Sequence, residues 1–206
     1  MIERLISLVI GYFIGCIQSA YIRGKLSGID IRDHGSKNAG MTNVTRVLGR
    51  KAGIIVFIAD VLKAMIAFVI ASLIFSGGGT FLGSGWLIPG LWAGAGVILG
   101  HDFPFFLKFR GGKGISSTLG LLIMLDWRVF LIAGILALIM IFVFKYISLA
   151  SLIITASAPI LMLIMGHSIE VIIITALLAV LAWYLHRANI TRLLSGAENK
   201  FSLKKK

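Results

Sequence analysis

The chain contains three polar, glycine-rich segments, and the first has the residue types that bind phosphate. It covers residues 32–43 with the sequence RDHGSKNAGMTN, and Arg46 follows it. Short hydroxyl and amide side chains, flexible backbone and cations can together surround phosphate oxygens. Turn chemistry explains the glycine and asparagine of a plain loop, but not this concentration of polar side chains. The candidate residues of this segment are Ser36, Asn38, Thr42, Asn43 and Arg46.

A second segment, GHDFPFFLKFRGGKG, covers residues 100–114 and leads into an apolar run. A Gly-Gly-Lys-Gly string before a helix places backbone N–H groups, the positive end of the helix dipole and an ammonium around one point. A Walker A loop needs GxxxxGK[ST], which the chain lacks, so a nucleotide triphosphatase is disfavoured. The alternative interpretation is a charge cluster with a flexible hinge. The candidate residues are Gly111, Gly112, Lys113 and Gly114.

The third polar group consists of two stretches, SLAS at residues 148–151 and HRANITRLLSGAE at residues 186–198. Taken alone, the serines are equally well explained as helix caps, and the basic residues as the mark of a cytoplasmic helix end. Their predicted position on the same membrane face as the other two segments favours function. The residues singled out here are Ser148, Ser151, His186, Arg187 and Arg192.

Composition indicates that membrane helices position these segments. Of the 206 residues, 58% are hydrophobic and 14% are charged, and the mean hydropathy is +1.00. Soluble chains are about 45–50% apolar and about 25% charged, so a soluble or disordered chain is excluded. A single Cys excludes a disulfide framework and a Cys-rich metal site. We predict an all-α polytopic integral membrane protein with one transmembrane domain over residues 1–206.

Seven apolar runs predict about seven transmembrane helices. The fourth run is short, so it is either a tilted span or a re-entrant piece. The runs are 5–22, 53–75, 86–100, 115–125, 129–144, 149–166 and 171–185.

The distribution of basic residues predicts the orientation. The net charge is +12, and 17 of the 20 Lys and Arg residues fall on the side reached after odd-numbered spans. Cytoplasmic loops collect Lys and Arg, which places the N-terminus outside and the C-terminus in the cytoplasm. All three polar segments then face the cytoplasm, while residues 77–85 face outside. The excess of positive charge also suits an anionic substrate or lipid headgroup.

Other features are interpreted as packing. Gly11 and Gly15, and the glycines between residues 90 and 100, have the small-xxx-small spacing that lets helices approach closely. Asp60 and Lys63 lie one turn apart within an apolar run and predict a buried pair, with an ion pathway as the alternative. His167 and Glu170 are expected in solvent, between the last two spans.

The motifs, taken in order, resemble those of a known family. GSKNAGMTN with Arg46, then GHDFPFFLKFRGGKG, SLAS and HRANITRLLSGAE resemble the bacterial membrane acyl-phosphate:glycerol-3-phosphate acyltransferases of the PlsY family. The likeness runs in order over residues 19–198. The usual family loop is closer to GSGNPGATN, so Lys37, Ala39 and Met41 depart from it and bear on the conformation of the loop.

The resemblance implies transfer of a fatty acyl group from acyl phosphate to the 1-hydroxyl of glycerol 3-phosphate, giving lysophosphatidic acid and inorganic phosphate. This is the first acylation of phospholipid synthesis, at the bacterial inner membrane, with the active site facing the cytoplasm. The implied catalytic residues are Ser36, Arg46, Lys113, Ser151, His186 and Asn189. The implied substrate-binding residues are Asn38, Thr42, Asn43, Gly111, Gly112, Gly114 and Ser148.

The mechanism expected is direct and substrate-assisted. The usual glycerolipid acyltransferase signature, His followed five positions on by Asp, is absent after all four histidines. A mixed anhydride is already activated, and its departing phosphate can accept the hydroxyl proton. Lys113, Arg46 and backbone donors would stabilise the developing charge. A covalent acyl-Ser36 intermediate is the alternative mechanism.

The expected partners are acyl phosphate, glycerol 3-phosphate, membrane lipids and an enzyme that produces acyl phosphate, with no nucleic acid. No cofactor, metal or coenzyme A is expected. For a metal, the motif loops contain few potential ligands, and no Cys/His spacing resembles a zinc site. A small transporter of a phosphorylated solute would also use basic loops and broken helices. A scaffold protein would explain the spans but would leave the polar segments without a role.

Overall fold

The computed structural model describes residues 1–77 and 84–200, and within this part of the chain the regular structure is helical. Two short 3-10 helices, Ile31–Asp33 and Phe105–Leu107, lie in the first and second polar segments. The all-α prediction is confirmed. The α-helices are α1 (Ile2–Gly15), α2 (Ser19–Lys25), α3 (Met41–Leu48), α4 (Arg50–Phe75), α5 (Ser84–Asp102), α6 (Ile115–Leu125), α7 (Trp127–Phe144), α8 (Ile147–Ile164), α9 (Ile169–Leu185) and α10 (Arg187–Leu194).

Four helical segments of the described chain are long and apolar enough to cross a membrane: Ile2–Lys25, α4, α7 and α8. The pair α9 and α10, bent by 62°, makes a fifth if it is counted as one broken span. Helix α6 has only 11 residues, too few to cross about 30 Å of hydrocarbon. The protein is therefore membrane-embedded, while the count of seven spans remains a prediction. Of the predicted outer segment, residues 78–83 lie outside the described residues.

The first predicted span is divided in the structure. Helix α1 ends at Gly15 and α2 begins at Ser19, with Gln18 between them in a non-helical conformation. The buried Gln18 amide donates to the Gly15 carbonyl oxygen (3.3 Å) and to the His101 carbonyl oxygen (3.0 Å). The break therefore has polar partners within the protein, as a break among apolar helices requires.

Two compact units make up the chain, Met1–Leu125 and Asp126–Lys206. In unit 1, α5 packs against α1, α4 and α6. A Cβ atom on Gly11 would lie 2.7 Å from the Ala93 carbonyl carbon, and one on Gly15 would lie 2.7 Å from the Val97 Cα. Gly96 and Gly100 press in the same way against the α1 backbone. The close packing predicted from the glycine spacing is confirmed.

A small apolar cluster in unit 1 supports the first polar segment. Within it, α3 packs on α4, and the residues of the cluster are at most 3% exposed. Removal of this apolar surface from water favours the folded conformation of the loop. The buried members are Ala20, Ile31, Ala39, Val44, Ala52 and Val56.

Unit 2 contains α7–α10, with α8 packed against both α7 and α9. Asp126 caps the start of α7 through the Arg128 amide (2.9 Å) and also binds the Arg128 guanidinium (2.6 Å). His167 Nε2 lies 2.9 Å from the second carboxylate oxygen of Asp126. The Arg128 hydrogen bonds, helped by His167, hold the pKa of the Asp126 carboxyl below its usual range.

The prediction that His167 sits in solvent is wrong, because its side chain is only 14% exposed and pairs with Asp126. Glu170, which was also expected in solvent, is half-buried and interacts with another group of the protein.

Candidate functional site

The first polar segment is held by one buried side chain. Asn43 Oδ1 accepts a hydrogen bond from the Ser36 amide (2.8 Å), and Asn43 Nδ2 donates to the carbonyl oxygens of Ile31 (3.0 Å) and His34 (2.9 Å). Asn43 is 1% exposed, whereas Ser36 is exposed. Sequence reasoning gave Asn43 a substrate-binding role, but its amide protons are both used to hold the loop that presents Ser36.

Backbone conformation in this segment preserves the shape expected of a glycine-containing loop. Gly35 and Lys37 both have φ of +60°, in the left-handed region that favours glycine. The family loop that this segment resembles usually has glycine at the position of Lys37, and Lys37 adopts the backbone conformation that suits that glycine. Ala39 is fully buried, and its amide donates to the Gly111 carbonyl oxygen (3.4 Å). This bond joins the first and second polar segments.

Several predicted residues of the first segment are accessible. Ser36 and Arg46 are exposed, while Asn38 and Thr42 are half-buried. Ser36 lies in the loop and Arg46 in the last turn of α3, whose start follows the loop directly. This arrangement offers a hydroxyl and a guanidinium to an anion approaching the surface of unit 1.

A half-buried ion pair between Asp30 and Arg32 supports the loop from its flank. Asp30 accepts from the Arg32 amide (3.0 Å) and the Arg32 guanidinium (2.7 Å), and Arg32 also donates to the Leu107 carbonyl oxygen (3.3 Å). The Arg32 hydrogen bonds lower the pKa of the Asp30 carboxyl to about 2. The pair therefore links the first segment to the second.

The glycine string of the second segment is bonded to the end of α5. The Gly111 amide donates to the Asp102 carbonyl oxygen (3.1 Å), and the Gly112 amide to the His101 carbonyl oxygen (3.0 Å). Sequence reasoning expected these amides to surround a phosphate. In the structure they cap carbonyl groups that a helix end leaves unpaired. The remaining groups of the string that suit an anion are the half-buried Lys113 and the N-terminus of α6.

Two buried side chains lie directly behind the glycine string. A Cβ atom on Gly112 would overlap the His101 imidazole, coming within 2.7 Å of Cδ2 and 2.9 Å of Cε1. Gly114 has φ of +68°, and a Cβ there would lie 3.2 Å from both Asp102 carboxylate oxygens. Both glycines are thus required for close packing, and Gly114 is also required for its positive φ.

The predicted pair in α4 belongs to the same buried region. Lys63 Nζ lies 2.8 Å from Asp60 Oδ1, and both side chains are at most 7% exposed. Lys63 also contacts the Gly15 carbonyl oxygen (3.2 Å) and His101 Nδ1 (2.9 Å). The buried-pair prediction is confirmed. Sequence reasoning missed His101 as the third member, although an ionisable residue that directly follows an apolar run is a signal of this kind.

In unit 2, the start of α8 carries two of the predicted serines. Ser148 and Ser151 are both buried, and the Ser151 hydroxyl donates to the Ile147 carbonyl oxygen (3.0 Å). The Trp183 indole of α9 donates to the Leu152 carbonyl oxygen (3.3 Å). This contact brings the start of α8 beside the end of α9, where the last motif begins.

The last motif surrounds the bend between α9 and α10. His186 Nδ1 lies 2.7 Å from the Ala182 carbonyl oxygen, which can only accept a hydrogen bond. Nδ1 therefore carries a proton, and Nε2 of the neutral ring is an acceptor. Asn189 donates to Glu198 Oε1 (2.9 Å) and Arg192 to Glu198 Oε2 (2.7 Å). Glu198 was not a candidate from the sequence, yet it orients both side chains.

Comparison with known sequences identifies related proteins over nearly the whole chain. A family model described as glycerol-3-phosphate acyltransferase matches residues 5–196. A glycerol-3-phosphate acyltransferase of Thermoanaerobacter sp. (strain X514) is 41% identical over 201 residues, covering 97% of this chain and 96% of that protein. Another, of Alkaliphilus metalliredigens (strain QYMF), is 39% identical over 202 residues, covering 98% and 97%.

Solved structures show the same similarity. A crystal structure of PlsY (YgiH), an integral membrane glycerol 3-phosphate acyltransferase in its glycerol 3-phosphate form, is 36% identical with a TM-score of 0.85. It aligns over 97% of this chain and 96% of that one. The lysophosphatidic acid form of PlsY is 35% identical, with a TM-score of 0.82 over 97% and 95% of the two chains.

Proposed function

Because the chain belongs to the glycerol-3-phosphate acyltransferase family and is an acyltransferase of the PlsY type, we propose that acyl phosphate is its acyl donor. The fatty acyl group passes to the 1-hydroxyl of glycerol 3-phosphate, giving lysophosphatidic acid and inorganic phosphate. The transporter alternative is set aside, since the curated relatives are acyltransferases. An enzyme that makes acyl phosphate is the partner that this donor requires.

One observation carries the proposal: unit 1 joins two cationic loops through the Ala39 amide and the Gly111 carbonyl oxygen. Ser36 lies in one loop and Arg46 in α3, which follows that loop directly, while Lys113 belongs to the other loop. Both substrates carry phosphate, and a hydroxyl, a guanidinium and an ammonium are suitable groups to hold it. Asn38, Thr42 and the α6 N-terminus are further contacts for the same anions, while Asn43, Gly111, Gly112 and Gly114 set the loop conformation.

The chemistry proposed is a direct transfer. The glycerol hydroxyl oxygen forms a bond to the acyl carbonyl carbon, and the bond from that carbon to the phosphate oxygen breaks. The departing phosphate takes up the hydroxyl proton, so no enzyme base is required. Arg46 and Lys113 neutralise the charge that develops on the phosphate and the carbonyl oxygen. Orientation of the two substrates supplies the rest of the rate enhancement.

The last two motifs, in unit 2, carry the remaining polar groups proposed for the reaction. His186 offers Nε2 as an acceptor in its neutral form, because Nδ1 is bonded to the Ala182 carbonyl oxygen. Asn189 is held by Glu198, and Ser148 and Ser151 lie at the start of α8. These groups suit hydroxyl and carbonyl oxygens of a glycerol derivative or an acyl phosphate.

We further propose that the chain has seven spans in the bacterial inner membrane, with the N-terminus outside and the C-terminus and active site on the cytoplasmic side. The asymmetric distribution of Lys and Arg supports this orientation. Both substrates would then be reached from the compartment where soluble metabolites are made.

The decisive experiment incubates the purified protein with acyl phosphate and labelled glycerol 3-phosphate, and measures lysophosphatidic acid and inorganic phosphate. Equal amounts of the two products are expected, and acyl-CoA should not replace the donor. Lys113→Met should abolish most of the activity, while Lys51→Met, which removes an exposed cation of the same unit, should retain it. Comparable rates with acyl-CoA would contradict the donor assignment, and chelator-sensitive activity would contradict the absence of a metal.

A further inference from the structure

Lys63 has more hydrogen-bond acceptors around it than a simple ion pair requires. Its ammonium lies within 3.2 Å of Asp60 Oδ1, the Gly15 and Ile17 carbonyl oxygens and His101 Nδ1. The two carbonyl groups come from the break between α1 and α2, where no helical partner takes them up. Lys63 therefore has a fixed position, from which it can orient its neighbours.

The contact with His101 determines where the imidazole carries its proton. An ammonium has no lone pair, so Lys63 donates and His101 Nδ1 accepts across the 2.9 Å separation. A proton on Nδ1 would point at this ammonium, whereas Asp60 Oδ1, the acceptor that would favour such a proton, lies farther from Nδ1, at 3.6 Å. The neutral ring therefore carries its proton on Nε2, the nitrogen on the edge facing Gly112.

Through His101, this arrangement reaches the glycine string. The ring contacts the place where a Gly112 Cβ would lie, and the His101 carbonyl oxygen accepts from the Gly112 amide (3.0 Å). Lys113 directly follows Gly112 in the chain. A change in the orientation of the His101 ring therefore shifts the backbone of Gly112 and, with it, the Cα position of Lys113. All these residues belong to unit 1.

We propose that Lys63 is a positioning residue for acyl transfer: it fixes the tautomer and orientation of His101, against which the loop carrying Lys113 is packed. Asp60 balances the charge of Lys63 and is itself held by the Ser19 hydroxyl (3.0 Å). The effect on glycerol 3-phosphate rests on the proposed role of Lys113 in binding its phosphate. A purely structural pair would hold the α1–α4 contact without affecting the tautomer or the loop.

The test compares the parent with the double variant Asp60→Asn/Lys63→Met, which removes both charges together. Removing Lys63 alone leaves a buried carboxylate unpaired and can unfold the protein, whereas removing both partners of a buried pair is often tolerated. Thermal unfolding in detergent first establishes that the double variant is folded. Nitrogen-15 NMR of labelled histidine then reports the protonation of each ring nitrogen, with His101 assigned by the loss of its signals in His101→Gln.

In the parent, we expect Nδ1 of His101 to be unprotonated and Nε2 to carry the proton. In the folded double variant, this preference should be lost, and KM for glycerol 3-phosphate should rise about tenfold with a smaller change in kcat. A proton on Nδ1 in the parent would overturn the proposal, as would a folded double variant with unchanged KM. If the double variant does not fold, the tautomer of His101 in the parent alone decides whether the proposal holds. A parent that makes no lysophosphatidic acid would instead refute the proposed function, and the NMR result would still stand.

Discussion

Asn43 holds Ser36 in place through a 2.8 Å hydrogen bond from the Ser36 amide to the Asn43 side-chain oxygen. The Asn43 side-chain nitrogen, Nδ2, donates to the Ile31 and His34 carbonyl oxygens. A single buried side chain therefore closes the loop over residues 31–36. An exposed hydroxyl can be placed accurately in a glycine-rich loop only if the backbone around it is fixed. Asn43 supplies that constraint.

Asn43→Asp should therefore be destabilising. The substituted carboxylate cannot donate to the two carbonyl groups, and burial of unsatisfied polar atoms costs about 1–3 kcal/mol. We expect a lower unfolding temperature and a lower kcat, measured by thermal unfolding in detergent and by product formation. Asn38→Asp, in the half-buried part of the same loop, should leave the unfolding temperature near that of the parent. Equal unfolding temperatures for Asn43→Asp and the parent would show that the loop does not depend on this side chain.

Gly112→Ala should raise KM for glycerol 3-phosphate by about tenfold and change kcat less. The added methyl group would overlap the His101 ring, so the ring or the loop must move, and Lys113 with it. Steady-state kinetics over a range of glycerol 3-phosphate concentrations gives both constants. Gly134→Ala is the matched control, because no atom lies within 4 Å of a Cβ at that position. A fall in kcat alone would be inconsistent with a binding role for this loop.

Ser36 should position substrate without becoming acylated. Its hydroxyl is exposed, and a serine nucleophile normally needs an adjacent base, whereas Asn43 contacts only its backbone amide. Ser36→Ala should lower kcat by about 100-fold through loss of orientation. Mass spectrometry of the parent mixed with acyl phosphate alone should show no adduct on Ser36. A kinetically competent acyl-Ser36 would replace direct transfer by a covalent route.

Acid should weaken unit 1 through Asp30. Because Arg32 lowers the pKa of Asp30 from 3.8 to about 2, the ionised carboxyl stabilises the folded state above pH 3.8. This contribution is lost as the pH falls from 3.8 towards 2. Asp30→Asn should unfold at a lower temperature at pH 7, and the difference from the parent should shrink over that acid range. A difference that is independent of pH would exclude an electrostatic origin.

Labelling of single cysteines tests the orientation in intact cells. On a Cys16→Ala background, Lys108→Cys should resist a membrane-impermeant reagent added outside, whereas Ser84→Cys, at the start of α5, should react. Lys108 is exposed on the structure, so protection there reflects its side of the membrane. The reverse pattern would invert the topology.

The sequence was sufficient to predict the helical class, the small-residue packing of α1 on α5, the buried Asp60–Lys63 pair and the family. Those features depend on local spacing, on composition and on motifs in order. The break after Gly15 was not predicted, because its polar partners, such as the His101 carbonyl oxygen, come from a distant helix. The solvent prediction for His167 was wrong for the same reason, since Asp126 lies 41 residues away in the sequence.

The roles of individual site residues were harder to predict than their presence. Side-chain type indicated that Asn43 and Gly112 matter, but not that one holds a loop and the other makes room for an imidazole. A residue that binds substrate and a residue that shapes the binding loop have the same polar or small character in a sequence. Only the direction of their hydrogen bonds and the atoms packed against them separate the two.

The amides of Gly111 and Gly112, bonded to the last carbonyl oxygens of α5, also affect the thermodynamics of binding. A loop that orders only on contact with a ligand gives up part of the interaction energy as lost conformational entropy. Here the loop obtains its shape from the protein's own hydrogen bonds, so that entropy is lost when the chain folds. Anion association at Lys113 is then dominated by charge and desolvation, which makes its affinity sensitive to ionic strength and insensitive to the flexibility of the loop.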